Sequence, residues 1–332
     1  MSRLVAFLVR LPIALAAVLV GILAAMALWL KLPAPDVVRG GTGATIIVLS
    51  LAAAWTLLTA RAWLRLVAFA VGLLCVGVWW STLQPSNDRD WLADVARPAT
   101  AEFNGDLVTI HNLRNFDYRT ETDYDENWET RTYDLSKLTG VDIFLSYWSS
   151  PAIAHTILSW EFAGGPPLAI SIETRKEKGE SYSSIRGFFR EYELYYVVAD
   201  ERDLVRLRTN YRGEQVFLYR MKMPVETARA ILMSYLEEIN RLAEHPRWYN
   251  AATHNCTTAL RKHVMHVVGN NPFDWRILVN GYGDQMMYER GTIDTKLPFA
   301  ELKKVSDITM RAKAADQDPQ FSNRIREGIP VP

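Results

Sequence analysis

The chain of 332 residues contains two cysteines, and only one stands in a polar setting. Cys75 falls inside an apolar run and reads as a small hydrophobic residue of a membrane helix. Cys256 closes the segment Trp248-Tyr-Asn-Ala-Ala-Thr-His-Asn-Cys256 and has no partner thiol in its domain. Asn255, just before it, is a favoured helix N-cap. The pattern predicts a helix through Thr257 to Val268, with Cys256 in its first turn. There the unpaired backbone N–H groups and the helix dipole favour the thiolate and lower the thiol pKa. The same N–H groups suit a developing oxyanion. These residues therefore point to nucleophilic catalysis by a thiol.

A thiol nucleophile needs a base nearby. Of the six histidines, His155 is the best placed, at the head of the strand-like run Ala154-His-Thr-Ile-Leu-Ser159. The next run, Leu168-Ala-Ile-Ser-Ile-Glu-Thr-Arg175, alternates strictly. Leu168, Ile170 and Ile172 share one face, and Ser171, Glu173 and Arg175 the other. If Ala163 to Pro167 is a five-residue hairpin loop, His155 lies opposite Arg175 and on the face of Ser171 and Glu173. A loop shorter by one would invert the faces. In the first register Glu173 or Ser171 orients the imidazole, as the third member of a triad does. Trp248 and Tyr249 are placed to line an acyl groove beside Cys256 or to pack beneath the long helix. Arg175 is a candidate for substrate positioning. His245 and His263 read as helix-end and helix-surface residues. The spacings of His254, Cys256, His263 and His266 match no zinc pattern, so no metal is expected. With no Gly-rich phosphate loop or nucleotide fingerprint, no cofactor is expected either.

The elements that must position these groups divide at about residue 84. Leu11 to Leu30, Gly40 to Ala60 and Leu66 to Thr82 are free of charge, and each is about long enough to cross a bilayer. A cleaved signal peptide does not explain three such runs. Arg3, Arg10, Arg61 and Arg65 lie on one side of the spans, and Lys31 and Arg39 on the other. The positive-inside bias puts the N-terminus in the cytoplasm and everything after Leu83 on the far side of a bacterial inner membrane. Trp29, Trp63, Trp79 and Trp80 near the span ends fit an interfacial belt. Residues 85–305 read as an α+β domain with a mainly antiparallel sheet. Its strands are expected at Leu107 to Leu113, Val141 to Trp148, Ala154 to Phe162, Leu168 to Arg175, Tyr192 to Ala199, Leu204 to Thr209 and Gln215 to Met221. One amphipathic helix is expected from Pro224 to His245. Residues 306–332 are expected to form a peripheral tail. The charges balance, 37 basic against 37 acidic, which gives no support for a nucleic-acid partner.

The runs Ala154-His-Thr-Ile-Leu-Ser159, Ser171-Ile-Glu-Thr-Arg175, Tyr192-Glu-Leu-Tyr-Tyr196, Trp248-Tyr-Asn250 and Asn255-Cys-Thr-Thr258 resemble the periplasmic domain of the bacterial lipoprotein N-acylation family Lnb. The resemblance covers roughly residues 106 to 265 and leaves out the three spans. It implies a circularly permuted papain-like domain of NlpC type, in which the histidine precedes the cysteine. It implies Cys256 as nucleophile, His155 as base and Glu173 as a third polar group. It implies membrane lipid and a lipoprotein as substrates, with an acyl chain passing through a Cys256 thioester. Two other readings stand beside it. A cell-envelope peptidase or amidase would resolve the same intermediate with water. An assembly or sensing module would leave the thiol unreactive.

Overall fold

The computed structural model describes residues 3–59, 62–269 and 272–332. Ala60 and Arg61, used in the span and orientation arguments, lie outside them. The chain divides into two compact units, Met1–Pro85 with Ser183–Glu191, and Ser86–Tyr182 with Tyr192–Pro332.

The first unit holds α1 (Arg3–Lys31), α2 (Asp36–Thr59) and α3 (Leu64–Thr82), each long and apolar enough to cross a membrane. Helices satisfy their own backbone polar groups, which hydrocarbon demands. Gly21 of α1 serves packing, because a Cβ there would strike Ser50 of α2. A small residue at this point lets α1 and α2 approach closely.

The second unit is built on an eight-stranded sheet. Its strands are β1 (Thr100–Asn104), β2 (Leu107–Arg114), β5 (Trp128–Asp134), β6 (Leu138–Tyr147), β7 (His155–Phe162), β8 (Leu168–Arg175), β9 (Glu193–Ala199) and β10 (Gln215–Arg220). A separate two-stranded ribbon pairs β3 (Asp117–Tyr118) with β4 (Tyr124–Asp125). The sheet runs β1-β2-β9-β8-β7-β6-β10, with β5 also on β2. The ladders are antiparallel except for the single parallel pairing of β2 with β9. The expected α+β class with an antiparallel sheet is therefore what the chain adopts.

Alternation gives the sheet two unlike faces. Leu158, Trp160, Leu168, Ile170, Ile172, Tyr196 and Val198 face α5 (Val225–Glu244) and α6 (Cys256–Val268) in the main apolar core. Helix α5 contributes Ala228, Ile231, Leu232, Tyr235, Ile239 and Leu242 at helical spacing, and Trp160 Nε1 donates to the Ala228 carbonyl at 2.9 Å. The opposite face carries Ile157, Ala169 and Val197, but also Asp142, Ser146, Ser159, Ser171 and Glu173.

Two expectations change. Leu204 to Thr209 is helical, not a strand. Asp200 caps α4 (Glu201–Arg206) by accepting from the Arg202 N–H, and a π-turn, Leu207–Tyr211, continues it. The Asp cap and the run of long side chains favour helix more strongly than the apolar positions favour a strand. The C-terminal segment is also no loose arm. After α7 (Gly283–Glu289) and α8 (Phe299–Ser306), α9 (Thr309–Ala314) and α10 (Phe321–Ile325) bury Ile308, Ala312, Phe321, Ile325 and Ile329 in the second core. Arg326 is drawn into a buried pocket of Asp142, Glu161 and Glu201. Its charge made the tail look solvated, yet it is the counter-ion of that acidic pocket.

Candidate active site

Helix α6 begins where the sequence placed it. Asn255 Oδ1 accepts from the Thr258 N–H at 2.9 Å, and Thr258 Oγ1 accepts from the Asn255 N–H at 2.9 Å. This reciprocal cap fixes Cys256 in the first turn. Cys256 is half-buried, with Thr257 Oγ1 3.8 Å from the sulfur, and the backbone N–H groups of Thr156 and Thr257 lie near enough to favour its thiolate. Thr156 follows His155 on β7, so the thiol meets the strand one residue from the imidazole. Asn280 secures the junction. Its Oδ1 accepts from the Ala154 N–H at 2.9 Å, and its Nδ2 donates to the Ala154 carbonyl at 2.5 Å and to Thr257 Oγ1 at 2.7 Å. One buried amide thus ties the residue before His155 to the residue after Cys256.

At the head of β7 the imidazole enters a half-buried polar chain. The β7–β8 ladder pairs Ile157 with Ser171 and Trp160 with Leu168. Continued to the strand end, it sets His155 opposite Glu173 and not Arg175. The hairpin differs from the expected register by two residues, which preserves the face. His155 Nε2 lies 2.6 Å from Ser171 Oγ, and Ser171 Oγ donates to Glu173 Oε1 at 2.8 Å. Arg208 from the π-turn donates to Glu173 at 2.8 Å and to Glu214 at 3.1 Å, and Glu214 also accepts from Ser146 Oγ.

Proton counting fixes the imidazole tautomer. A hydroxyl has one proton to give. Arg208 and the imidazole hold the Glu173 carboxyl well below the usual carboxylate range against the cost of burial, so Glu173 is an acceptor only. Ser171 gives its proton to Glu173 and must therefore accept from Nε2–H. The neutral ring then carries its lone pair on Nδ1. Burial first, and Arg208 next, push the His155 pKa down to about 3, so the ring stays neutral at physiological pH.

The thiol departs from expectation. Burial pushes its pKa up, and the three lowering influences, from Thr257, the Thr156 and Thr257 N–H groups and Arg208, do not overcome it. Desolvation disfavours a thiolate more than a helix terminus favours it. The resting pair is a neutral thiol and a neutral imidazole.

The other singled-out residues separate. Tyr249 is buried beside the thiol, hydrogen-bonded to Tyr182, and its own pKa is raised by burial and then by Cys256. Trp248 lies against the Arg89 guanidinium, 5.3 Å from its centre. Arg175 takes no part in the chain through Glu173. It donates to the Val95 and Ala96 carbonyls and to Asn87 Oδ1, and its guanidinium covers the Trp91 ring at 4.2 Å. His263 is not on a helix surface. It is buried between Tyr196 Oη and Ser234 Oγ, each 2.8 Å away. Among the described residues no group of acid, histidine and cysteine side chains is arranged to hold a metal.

Two contributors to the site were not found from sequence. Asn280 lies in an Asn-Gly pair, which reads as turn chemistry. Its signal was Gly281, where a Cβ would strike the Pro151 carbonyl. Arg208 was hidden in a run read as a strand.

Residues 124–281 match the family model of the Lnb N-terminal periplasmic domain. That span includes His155, Ser171, Glu173, Arg208, Cys256 and Asn280. The resemblance seen in the short motifs is thereby supported over a continuous stretch of the soluble unit. Comparisons with curated proteins and with solved structures found no match. Together with the three membrane-capable helices, the match identifies an inner-membrane protein whose C-terminal domain is periplasmic.

Proposed function

We propose that this Lnb-type domain is a thiol acyltransferase acting in lipoprotein processing, with Cys256 as nucleophile and His155 as base. The observation that carries the reading is Cys256 at the capped N-terminus of α6, with its neighbour Thr257 tied through Asn280 to Ala154, the residue before His155. In the first half-reaction the sulfur attacks the carbonyl carbon of a lipid ester while Nδ1 takes the thiol proton. The C–O bond then breaks, and the imidazolium returns that proton to the leaving alkoxide. A thioester and a free lipid hydroxyl result. In the second, an amine attacks the thioester carbonyl, the C–S bond breaks, and the amine's proton passes through Nδ1 to the sulfur. An amide forms and the thiol is restored.

Several features of the site support these roles. General-base transfer suits a pair that starts neutral, because no buried ion pair must be maintained before substrate arrives. The Thr156 and Thr257 N–H groups, which point at the sulfur, favour the negative charge that develops there. Glu173, acting through Ser171, supports the imidazolium as it forms, as the acid of a triad does. Tyr249, buried beside the thiol, limits the access of water to the thioester, which favours transfer over hydrolysis. A substrate confined to the bilayer accounts for joining such a domain to membrane spans.

The test uses the full-length protein in lipid nanodiscs with a diacylglyceryl peptide carrying an isotopically labelled ester chain, followed by mass spectrometry. The labelled acyl group should appear on the peptide amine, with a hydroxylamine-sensitive adduct on Cys256. Release of free fatty acid alone would assign a hydrolase. Absence of any acyl adduct on Cys256 would overturn the thiol mechanism.

A further inference from the structure

The segment Ser183–Glu191 connects β8 to β9 of the soluble sheet, yet it clusters with the three apolar helices and not with the sheet. Its sequence, Ser-Ser-Ile-Arg-Gly-Phe-Phe-Arg-Glu, alternates apolar and charged groups. Three contacts within that unit hold it. Glu191, buried, pairs with Lys31 at the last position of α1 at 3.1 Å, and with Arg186 at 2.7 Å. Arg190 donates to the Trp80 carbonyl at 2.5 Å and to the Leu83 carbonyl at 3.2 Å, and its guanidinium covers the Trp80 ring at 4.9 Å. Arg190 also has φ +53°, a left-handed conformation that is unfavourable for a non-glycine residue. Such a backbone persists where its surroundings fix it.

These anchors are at the C-terminal ends of α1 and α3, the ends that odd-numbered spans present to the periplasm. Between the anchors a short 3₁₀ turn, Arg186–Phe188, leaves two large apolar side chains exposed, Ile185 at 59% and Phe188 at 49%. Charged groups bound to span ends, beside uncovered apolar groups at the same level, match the composition of a membrane interface, where charged side chains stay with the headgroups and aromatic and aliphatic ones enter the acyl region.

We propose that the Ile185–Phe188 turn is a membrane-contact element that inserts Ile185 and Phe188 among the lipids of the periplasmic leaflet. The inference rests on the contacts of 183–191 with the span ends and does not depend on the chemistry of Cys256. Its chain neighbours give it a bearing on that chemistry. Tyr182 and Tyr192, on either side of the segment, stack at 6.2 Å, and Tyr182 is hydrogen-bonded to Tyr249 beside the thiol. The element that touches lipid is thus covalently continuous with the wall around Cys256.

The test places a nitroxide at Ile185→Cys and, separately, at Phe188→Cys in the full-length Cys75→Ala, Cys256→Ala protein in nanodiscs. Lys178→Cys, an exposed position on the soluble unit, is the aqueous control. Labels at 185 and 188 should be relaxed by oxygen and shielded several-fold from a water-soluble nickel chelate, with the opposite pattern at 178. Nickel relaxation at 185 and 188 equal to that at 178 would overturn the proposal. If one variant fails to accumulate, the other decides alone. Catalysis is not read in either arm, so failure here leaves the thiol mechanism standing, and the reverse also holds.

Discussion

The two faces of the sheet solve the burial problem in opposite ways. Toward α5 and α6 the interior is almost wholly hydrocarbon and aromatic, with Trp160, Tyr235 and Tyr196 packed edge to face. A polar group there finds neutral partners beside it, as His263 does in Tyr196 and Ser234. Toward α4 and α10 the same strands set the buried Asp142, Glu201 and Glu214 and the half-buried Glu173 against Arg208, Arg220 and Arg326. The apolar face can lose one contact and keep the rest, since its energy is a sum over area. The charged face is a set of mutual dependences, where removing one ion strands its partners in a medium that cannot solvate them. Cys256, at the start of α6, packs against the first core, His155, at the head of β7, joins the polar chain of the second face, and Asn280 ties these two ends together through Thr257 and Ala154. The β7 backbone at Ala154 to Thr156 is where the two meet.

The sharpest way to test this comparison is to remove the group that reaches across. Cys256→Ala should lower acyl transfer by roughly 10⁴-fold or more, the scale seen when a covalent nucleophile is lost. The protein should still insert in the membrane with an unchanged circular dichroism spectrum, because the alanine leaves the Asn255–Thr258 cap in place. Transfer at the wild-type rate in this variant would remove the thiol from the mechanism.

The next effect compares the faces directly. Arg208→Met should destabilise the soluble unit by about 3–5 kcal/mol, because Glu173 and Glu214 lose their shared cation. Trp160→Leu, on the apolar face, should cost less, about 1–3 kcal/mol, as lost contact area with partial repacking. Denaturant titration of both variants checks the order. A cost for Arg208→Met no greater than for Trp160→Leu would contradict the view of the charged face as interdependent.

Acid should separate the faces less, since each holds one buried neutral histidine. His155 and His263 are both pushed down to about 3, by burial first, with Arg208 adding for His155 and Lys262 for His263. The ordinary histidine value is about 6.5, so between about 6.5 and 3 the unfolded chain binds more protons. Stability should therefore fall as pH drops below about 6.5 and stop responding to these groups below about 3. Each contributes at most about 1.4 kcal/mol per pH unit. His263→Phe should reduce the slope of melting temperature against pH in this window, and an unchanged slope would show that His263 is not kept neutral.

Ser171→Ala should lower transfer by roughly 10–100-fold, because the imidazole loses the acceptor that fixes its tautomer while the thiol stays in place. The loss should appear in kcat more than in KM. The smallest effect concerns the thiol itself. Burial raises its pKa, so alkylation by iodoacetamide should be slower at neutral pH than for an exposed cysteine and should rise with pH to beyond the ordinary thiol range. A plateau near neutrality would instead reveal a preformed thiolate and imidazolium.

Much of this molecule is written locally. The apolar runs of α1 to α3, the Asn255 cap with Thr258 and the alternation from Leu168 to Arg175 depend only on residues near each other in the chain, and each forms as its local chemistry dictates. Face assignment at His155 follows too, because parity survives a two-residue change of register. Tertiary structure decided what depends on distant partners. Leu204 to Thr209 is helix for a local reason, the Asp200 cap, but that the helix delivers Arg208 to Glu173 depends on where it packs. Residues 306–332 were drawn in because Arg326 answers the buried Asp142 and Glu201 and the half-buried Glu161. Asn280 joined Ala154 to Thr257 across more than a hundred positions of chain. The thiol pKa rose because burial is a property of everything packed around the sulfur, whereas a helix N-terminus is a property of four residues. Sequence determines which groups are available and which way they point along an element; the pairing of charges and the exclusion of water arise only when separate elements meet.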